Sequence, residues 1–282
     1  MTPPLISMDS PRFDWMQATV REDPGEISDL LAGTLGGDLE AARGLNGYER
    51  SNLVKRHGET LARVLYGGRN GWPHVIATGA ASDDVVPVLR GAWPTHEVTR
   101  MDTAQDFDQE GGYDRLHPVL VGIAEANSMS VTQIESVRNG VRSRTTYLGA
   151  PSSRIRVRLY EKGHFEQQEG RAASGGWFRL ESQIRPTGQR ARLLSAGVDA
   201  VEAWGMARWT RELAREAMGL DVEPITMQIK REPDYMRAMR ALATQYGPTL
   251  AKAVEVEGSW DAVLRLLQAE GVPIEAPREN ER

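Results

Sequence analysis

The sequence contains no cysteine, and this absence removes several classes of protein at once. Disulfide scaffolds, cysteine-ligated zinc, iron–sulfur clusters and cysteine nucleophiles are all excluded. No apolar run approaches the about 18 residues that a transmembrane helix needs, so we expect no membrane span. Residues 1–15 lack a basic stretch followed by an apolar core, which is not the pattern of a signal peptide. We therefore expect a cytoplasmic protein.

Histidine clusters and nucleotide-binding motifs are also missing. The five histidines are scattered, and no pair has the spacing of a metal-binding motif. The pattern G-x-x-x-x-G-K-[ST], whose backbone cradles nucleotide phosphates, is absent, and so is the G-x-S-x-G elbow of serine hydrolases. The sequence thus offers neither an ATP site of this type nor a serine-hydrolase nucleophile.

What is present is the composition of a globular protein. The chain has 282 residues, 40% of them hydrophobic and 26% charged, which is enough to bury a sizeable core. Short runs between turn residues predict strands at 13–20, 74–78, 97–107, 131–134, 144–148, 154–160 and 177–184. Helical spacing predicts helices at 26–43, 83–90, 115–128, 199–218, 232–245 and 259–269.

These elements predict an α+β protein in which strands come before most of the helices. We expect a flexible tail at 1–12 and a β-rich domain at 13–190, with an antiparallel sheet and flanking helices. A helical C-terminal segment at 191–270 and a disordered tail at 271–282 should follow. Trp204 and Trp209 have helical spacing and are expected in the core.

The net charge of −5 argues weakly against a nucleic-acid partner, but the distribution of charge argues for one. Residues 136–160 contain six arginines and no acid. Arg154, Arg156 and Arg158 alternate, so on a strand they share one face with Tyr160. A phosphate-binding surface and a solvated strand face both agree with the charge count. The arginine series that leads to one tyrosine hydroxyl is the more specific pattern.

A group of acids precedes this segment. On a strand, Asp102 and Asp106 share one face, and carboxylates are preferred ligands of Mg²⁺ and Mn²⁺. Four strand residues span about 13 Å, so one ion could join both only if the strand ends or bulges between them. Glu181 lies in another strand-like run and could be a third ligand. Alternatively, it pairs with an arginine such as Arg100 or Arg179, since burying a lone glutamate is costly.

Seven short motifs follow one another over residues 13–185. They are Phe13-Asp14-Trp15, Gly47-Tyr48, Tyr66-Gly67-Gly68, Thr99-Arg100-Met101-Asp102 with Ala104 and Asp106, Thr145-Thr146-Tyr147-Leu148-Gly149, Ser153-Arg154 with Arg158, Tyr160 and Lys162, and Trp177 with Arg179 and Glu181. In this order and spacing the chain resembles the replication initiation factor family, Rep_trans. That family includes initiators of rolling-circle plasmids, replication proteins of filamentous phages and relaxases of integrative elements. No distinctive match continues beyond residue 190.

The resemblance implies a chemistry. The family's tyrosine in the motif R-x-Y-x-K attacks a DNA phosphodiester and leaves a 5′-phosphotyrosine and a free 3′-hydroxyl; here that residue is Tyr160. The resemblance makes residues 13–190 a nicking domain, with Arg158 and Lys162 placed to neutralise phosphate oxygens. A divalent metal, Mg²⁺ or Mn²⁺, would be held by Asp102, Asp106 and Glu181. Nearby cations are expected to lower the phenol pKa from about 10.

DNA contacts are expected on the arginine-rich strands. The candidates are Arg138, Arg142, Arg144, Tyr147, Ser153, Arg154 and Arg156. Tyr147 is the rival nucleophile, and we assign it to base stacking or core packing instead. The implied partner is origin DNA, single-stranded or in a hairpin. A host helicase and a second copy of the chain are further candidate partners. No membrane partner is expected.

Three other functions use parts of the same pattern. A conjugative relaxase of a mobile element performs the same cleavage step as a replication initiator. A non-catalytic DNA-binding regulator could retain the scaffold without cleaving DNA. A metal-dependent phosphoesterase would use the same carboxylates with water as the nucleophile, so it would form no covalent protein–DNA species.

Overall fold

Ten strands form one antiparallel sheet in the computed structural model, which describes residues 8–225 and 234–269. They are β1 Arg12–Thr19, β2 Asp38–Arg43, β3 Arg50–Arg56, β4 Glu59–Tyr66, β5 His74–Thr78, β6 Glu97–Asp108, β7 Val131–Arg138, β8 Val141–Leu148, β9 Ile155–Tyr160 and β10 Trp177–Ile184. Their order across the sheet is β2-β3-β4-β5-β1-β6-β10-β9-β8-β7. This architecture confirms the predicted α+β class.

Helices lie between the strands in the chain and after the last of them. Their bounds are α1 Pro24–Leu35, α2 Ala81–Ala92, α3 Gly112–Ala126, α4 Lys162–Gln168, α5 Gln189–Ser195, a 3-10 helix Glu202–Met206, α6 Arg208–Met218, α7 Asp234–Glu257 and α8 Trp260–Ala269. Helices α1 and α2 pack over β1, β4 and β5, whereas α3 packs over β8 and β9 and also contacts α6. Helices α7 and α8 belong to a second compact unit, Gln228–Arg282.

The strands alternate between an apolar face, beneath α1, α2 and α3, and a polar face. On β6, Met101 and Phe107 are completely buried, and Phe107 stacks on Phe178 of β10 with ring centroids 5.0 Å apart. Burying one such side chain stabilises the fold by roughly 1.5–3 kcal/mol. Because side chains alternate along a strand, Asp102 and Asp106 project from the other side. We call that side, as formed by β6, β10, β9 and β8, the polar face.

Two predicted helices are each divided in the structure. The segment 26–43 is helical only to Leu35, because Gly36 adopts a left-handed conformation (φ +64°) and its N–H donates to the carbonyl of Ala32. The chain then continues as β2, the edge strand at Asp38–Arg43. The segment 199–218 forms the 3-10 helix and then α6, with Ala207 in an extended conformation between them.

The first compact unit runs from Met1 to Met227, well beyond the domain boundary expected at 190. Trp204 is completely buried, as expected, and with Leu213 it joins the apolar core that contains Phe178. This packing makes the 3-10 helix and α6 part of the sheet-containing unit.

The expected N-terminal tail is held to the sheet from residue 8, because the Met8 N–H donates to the Asp106 carbonyl at 3.1 Å. Residues 1–7 and the tail expected at 271–282 lie outside the described residues. Across residues 8–225 and 234–269, no helix has both the length and the apolar character needed to span a bilayer.

Candidate active site

The strand register brings the predicted site residues together on the polar face. In an antiparallel sheet, residues directly opposite each other lie on the same face and within contact distance. Three cross-strand rows result: Asp106–Arg179–Tyr160, Ala104–Glu181–Arg158–Tyr147 and Asp102–Gln183–Arg156. The alternation predicted for Arg156, Arg158 and Tyr160 is therefore correct, and Glu181 lies between the two aspartates along the sheet.

Tyr160 is surrounded by charged side chains but is itself only 8% exposed. The Arg158 guanidinium lies 4.7 Å from the centre of its ring, and no hydrogen bond to its hydroxyl forms among the described residues. Burial raises the pKa of Tyr160 above its usual value, although Arg179 and Arg158 act in the opposite direction. The neighbouring cations thus act in the expected direction, but the pKa of Tyr160 is raised overall because desolvation of the phenolate outweighs their charge.

Arg179 is held rigidly beside Tyr160 by two carboxylates. Its Nε and Nη2 donate to the two oxygens of Asp106 at 2.7 and 2.8 Å, and its Nη1 donates to Asp14 at 2.8 Å. Asp106 also accepts hydrogen bonds from the Trp177 indole at 2.9 Å and from Arg12. Burial favours the neutral form of Asp106, yet the hydrogen bonds and charge of Arg179 lower its pKa. Both oxygens of Asp106 are thus already occupied.

The three carboxylates predicted as metal ligands are not assembled around one point. Strands β6 and β10 pair in a continuous register from Met101 to Asp108, so Asp102 and Asp106 remain about 13 Å apart. Within residues 8–225 and 234–269, no group of three or more His, Cys, Asp or Glu side chains is arranged to hold a metal ion. The strand lacks the bulge that a site containing both aspartates would require.

Asp102 and Glu181 form a tighter pair. Glu181 lies opposite Ala104, so Asp102 is its diagonal neighbour, at a typical Cα separation of about 7–8 Å. Asp102 accepts from the Arg100 guanidinium at 3.0 and 2.5 Å, and one Glu181 oxygen accepts from Arg158 at 2.6 Å. The alternative of an arginine partner for Glu181 is therefore realised, with Arg158 as the partner.

Burial raises the pKa of both carboxyl groups of this pair, and the charge of Asp102 raises that of Glu181 further. Arg100 opposes the shift at Asp102, and Arg158 opposes it at Glu181. Magnesium is commonly bound by one or two carboxylates, with water and substrate phosphate completing its coordination. Arg158 engages one oxygen of Glu181, whereas Arg100 engages both oxygens of Asp102, so a metal bound by this pair would have to displace the Arg100 contact. The pair would not form an all-protein cage.

A small cleft lies beside this pair. It has a volume of about 120 Å³ and is lined by Arg100, Tyr147, Arg156, Val157, Arg158, Glu181 and Gln183. The Arg156 guanidinium lies 3.9 Å from the centre of the Tyr147 ring. The Nε atoms of Arg156 and Arg158 are buried and have no hydrogen-bond partner among the described residues. Unpartnered guanidinium donors of this kind are suited to an anionic ligand.

The remaining predicted residues after β9 border the polar face. Lys162 is the first residue of α4; its Nζ contacts Glu166 at 2.6 Å and lies 5.7 Å from the centre of the Trp177 ring. Since Trp177 also binds Asp106, Lys162 is at the end of the sheet that contains Tyr160. Arg154 is exposed immediately before β9, and Ser153 is half-buried in the preceding turn.

The six arginines do not form one surface, contrary to the expectation from their spacing. Tyr147 projects from the polar face, so alternation places Arg142 and Arg144 on the opposite face of β8. Arg144 donates to Asp114 at 2.5 and 3.1 Å and to Glu161 at 2.6 Å. Arg142 pairs with Glu135 at 3.3 Å. Arg138 shares the side of Tyr160 but pairs with Glu169.

Sequence reasoning did not assign four residues to this site: Asp14, Arg12, Arg100 and Arg179, of which Arg100 and Arg179 entered only as possible partners of Glu181. For Arg179 a signal was available, because it alternates with Glu181 on one strand and must share its face. For Asp14 the signal was its place in the motif Phe13-Asp14-Trp15, which gave it no role in the site. A register shift between Phe13 and Trp15 leaves Asp14 without a partner on β6, and this irregularity accompanies its contact with Arg179.

No family model matches the sequence, and no curated protein does. Among solved structures, the fold is similar to that of a rolling circle replication initiator protein from Geobacillus stearothermophilus. The TM-score is 0.51 at 22% sequence identity, and the match covers 80% of this chain and 90% of that one. The two proteins thus share a fold over most of their lengths.

Proposed function

We propose that this protein cuts and rejoins one strand of DNA through Tyr160 and so initiates rolling-circle replication. The observation that carries the proposal is the position of Tyr160, in one cross-strand row with the fixed Arg179 and beneath Arg158, one row away from Glu181 and two rows away from Asp102. The shared fold with a rolling circle initiator supports the same reading. A tyrosine, two guanidiniums and two carboxylates are the groups that this phosphoryl transfer needs.

In the proposed reaction the Tyr160 oxygen attacks the scissile phosphorus. A bond forms between the phenol oxygen and phosphorus, and the bond from phosphorus to the 3′-oxygen breaks. The phenol loses its proton to bulk water or a nearby carboxylate, and the departing 3′-oxygen gains one to become a hydroxyl. Because the phosphoester bond energy is retained in the 5′-phosphotyrosine, attack by a 3′-hydroxyl reverses the reaction and closes the strand.

The surrounding side chains have separate tasks. Arg179, fixed by Asp106 and Asp14, stabilises negative charge that develops near the Tyr160 oxygen. Arg158 releases part of its contact with Glu181 and donates to a phosphate oxygen instead. Lys162 neutralises a second phosphate oxygen. Asp102 and Glu181 would hold Mg²⁺ or Mn²⁺, which supplies polarisation of the scissile phosphate when bound. Tyr147 and Arg156 present a stacked surface to an unpaired base.

The decisive experiment is the capture of a covalent adduct. A pool of single-stranded hairpin DNAs, labelled at either end, is incubated with the protein and Mn²⁺ and separated under denaturing conditions. We expect 3′-labelled DNA to remain attached to the protein, and 5′-labelled DNA to be released as a shorter product with a 3′-hydroxyl. Sequencing of the attached DNA then identifies the cleavage site.

The alternative functions give different results in the same assay. A phosphoesterase would shorten both labelled DNAs without attachment to the protein, and a non-catalytic regulator would bind DNA without cutting it. Either result would overturn the proposal. A replication initiator and a conjugative relaxase give the same adduct, so they are distinguished by whether the captured site lies at a replication origin or at a transfer origin.

A further inference from the structure

A row of three arginines crosses the polar face at the end of the strands that is remote from Tyr160. The pairing of β10 with β6 and with β9 extends to Ile184, and one residue later the Arg185 N–H donates to the Arg154 carbonyl at 2.7 Å. Because Ile184 is buried in the core, alternation places the next row, Arg100–Arg185–Arg154, on the polar face. We call these three residues the arginine row.

The arginine row holds more positive charge than its surroundings neutralise. Like charges that lie opposite each other on neighbouring strands are destabilising, and Arg156 adds another cation one row away. Asp102 contacts the row, but both of its oxygens accept from Arg100. Arg154, Arg156 and Arg185 form no ion pair with a carboxylate among the described residues. Burial lowers the pKa of Arg185, and the charges of Arg100 and Arg156 lower it further.

Aromatic side chains flank these guanidiniums on both sides. The Arg100 guanidinium lies 4.2 Å from the centre of the Trp15 ring, and that of Arg156 lies 3.9 Å from the centre of the Tyr147 ring. Trp15 belongs to β1 and Tyr147 to β8, so the rings lie on either side of the strands that carry the row. Rings for bases and cations for phosphates are the components of a surface that binds single-stranded DNA.

A structural role accounts for only part of this arrangement. The Arg185 Nη1 donates to the Pro151 carbonyl at 3.0 Å, which fastens the turn before β9. That hydrogen bond requires neither an arginine at 154 nor one at 100. The cost of placing three cations in one row is offset if an anion binds there.

We propose that the arginine row binds a backbone phosphate of the DNA strand, on one side only of the phosphate that Tyr160 attacks; the assignment of that side rests on the proposed function. Six residues separate Tyr160 from Arg154, or about 20 Å along the strand. Nucleotides stacked at about 3.4 Å each cover this distance in about six steps, and in fewer if the DNA is extended. The row thus fixes which phosphate reaches Tyr160.

The path between the two phosphates is continuous. Arg100 and Arg156 line the cleft of about 120 Å³ together with Arg158 and Glu181, so the cleft joins the arginine row to the carboxylate pair. The buried Nε of Arg156 has no hydrogen-bond partner among the described residues and is available to a ligand in this cleft. A strand that passes from Tyr160 to the row would therefore meet donors along its length.

The test is a scan with neutral phosphates. The hairpin that binds most tightly in the DNA pool of the adduct assay is synthesised with a single uncharged methylphosphonate linkage at each position in turn. Fluorescence anisotropy then gives the affinity of each DNA for the wild type and for Arg185→Ala. On unmodified DNA, Arg185→Ala should weaken binding about fivefold and reduce the salt slope by about one.

The position of the contact comes from the coupling between the two changes. At one linkage or two adjacent linkages, all on one side of the cut, the neutral phosphate should weaken binding by the wild type but not by Arg185→Ala, because that contact is already lost. If Arg185 only fastened the turn, Arg185→Ala would weaken binding to every modified DNA by the same factor.

Three further variants serve as controls. Arg185→Lys keeps the charge and should recover most of the affinity. Arg154→Ala, at an exposed position of the same row, should couple to the same linkages, so the test does not depend on one variant. Arg142→Ala on the opposite face should bind like the wild type at every linkage. Circular dichroism melts show that each variant is folded.

Equal losses for the wild type and Arg185→Ala at every linkage would overturn the proposal, and so would coupled linkages on both sides of the cut. The scan measures binding and needs no cleavage. Coupling at one short stretch of a DNA that forms no covalent adduct would overturn the proposed function and leave the phosphate site in place. An adduct without any coupled linkage would do the reverse.

Discussion

Arg158 and Arg144 come from adjoining strands of the same arginine-rich segment, yet they project from opposite faces of the sheet. Arg158 uses one nitrogen on Glu181, lies over the Tyr160 ring and retains an unpartnered Nε. Arg144 is saturated by Asp114 and Glu161 and lies over Tyr113, beneath the helices. Local charge along the chain therefore does not locate a phosphate-binding surface. The unused hydrogen-bonding capacity of Arg158 is the reason why the proposal puts the phosphate on its side of the sheet.

The largest expected effect belongs to the polar face. Tyr160→Phe should reduce covalent adduct formation by at least about 1000-fold, because the nucleophilic oxygen is lost while the buried ring is retained. Single-stranded DNA affinity, measured by fluorescence anisotropy, should change less than about twofold. Tyr147→Phe is the matched variant and should keep its cleavage activity. Cleavage by Tyr160→Phe together with an inactive Tyr147→Phe would exchange the two assignments.

The carboxylate pair should have the next largest effect. Glu181→Gln or Asp102→Asn removes a negative ligand and should slow single-turnover cleavage in Mn²⁺ by about 100-fold, since a metal contributes several kcal/mol to such reactions. DNA binding should persist in both variants. Asp108→Asn, an exposed aspartate at the end of the same strand, is the control and should cleave normally. Equal rates for all three variants would remove the metal site from this pair.

Replacing an arginine on the polar face should weaken DNA binding more than replacing one on the opposite face, and this effect should be smaller than the two above. Arg156→Ala should weaken single-stranded DNA binding by about tenfold and reduce its salt dependence, because one phosphate contact and a stacked surface are lost. Arg142→Ala, on the opposite face, should leave the affinity within about twofold. Anisotropy titrations between about 50 and 200 mM salt compare the two variants. A larger loss for Arg142→Ala would move the DNA path to the helix-covered side.

The smallest effect on binding is expected for Arg144, whose role is structural. Arg144→Ala should leave DNA affinity unchanged but destabilise the fold by about 1–3 kcal/mol, because the buried Glu161 loses its charged partner. Thermal melts should then shift downwards by roughly 2–6 °C. If Arg144→Ala weakened binding and left the melting temperature unchanged, the distinction between the two faces would fail.

Much of the secondary structure was predictable because it depends on local patterns. The strand at 74–78 coincides with β5, and the alternation of Arg156, Arg158 and Tyr160 holds in β9. The prediction failed at 26–43, where helical periodicity continued through Gly36 although its left-handed backbone ends the helix. A turn that reverses the chain is indicated by only one or two residues. Apolar residues on either side can continue a helical pattern and so hide the turn.

The sequence by itself determined which residue types were available and which faces alternating residues share. With no cysteine and no histidine pair at ligand spacing, carboxylates were the leading candidate metal ligands, and the cost of burying Glu181 pointed to an arginine partner. Strand spacing also predicted that Asp102 and Asp106 are too far apart for one ion unless the strand bends. These conclusions follow from geometry within a single strand, which the order of residues specifies.

Only the tertiary structure decided which charged side chains keep hydrogen-bonding groups that a ligand could use. The pairing of β6 with β10 places Arg179 opposite Asp106, and the packing of α3 against β8 places Asp114 beside Arg144. Burial then reversed the expected shift at Tyr160, because the free energy of a buried charge depends on solvent exclusion by residues distant in the sequence. Desolvation and partner choice arise from contacts between strands and helices, so the order of residues alone does not specify them.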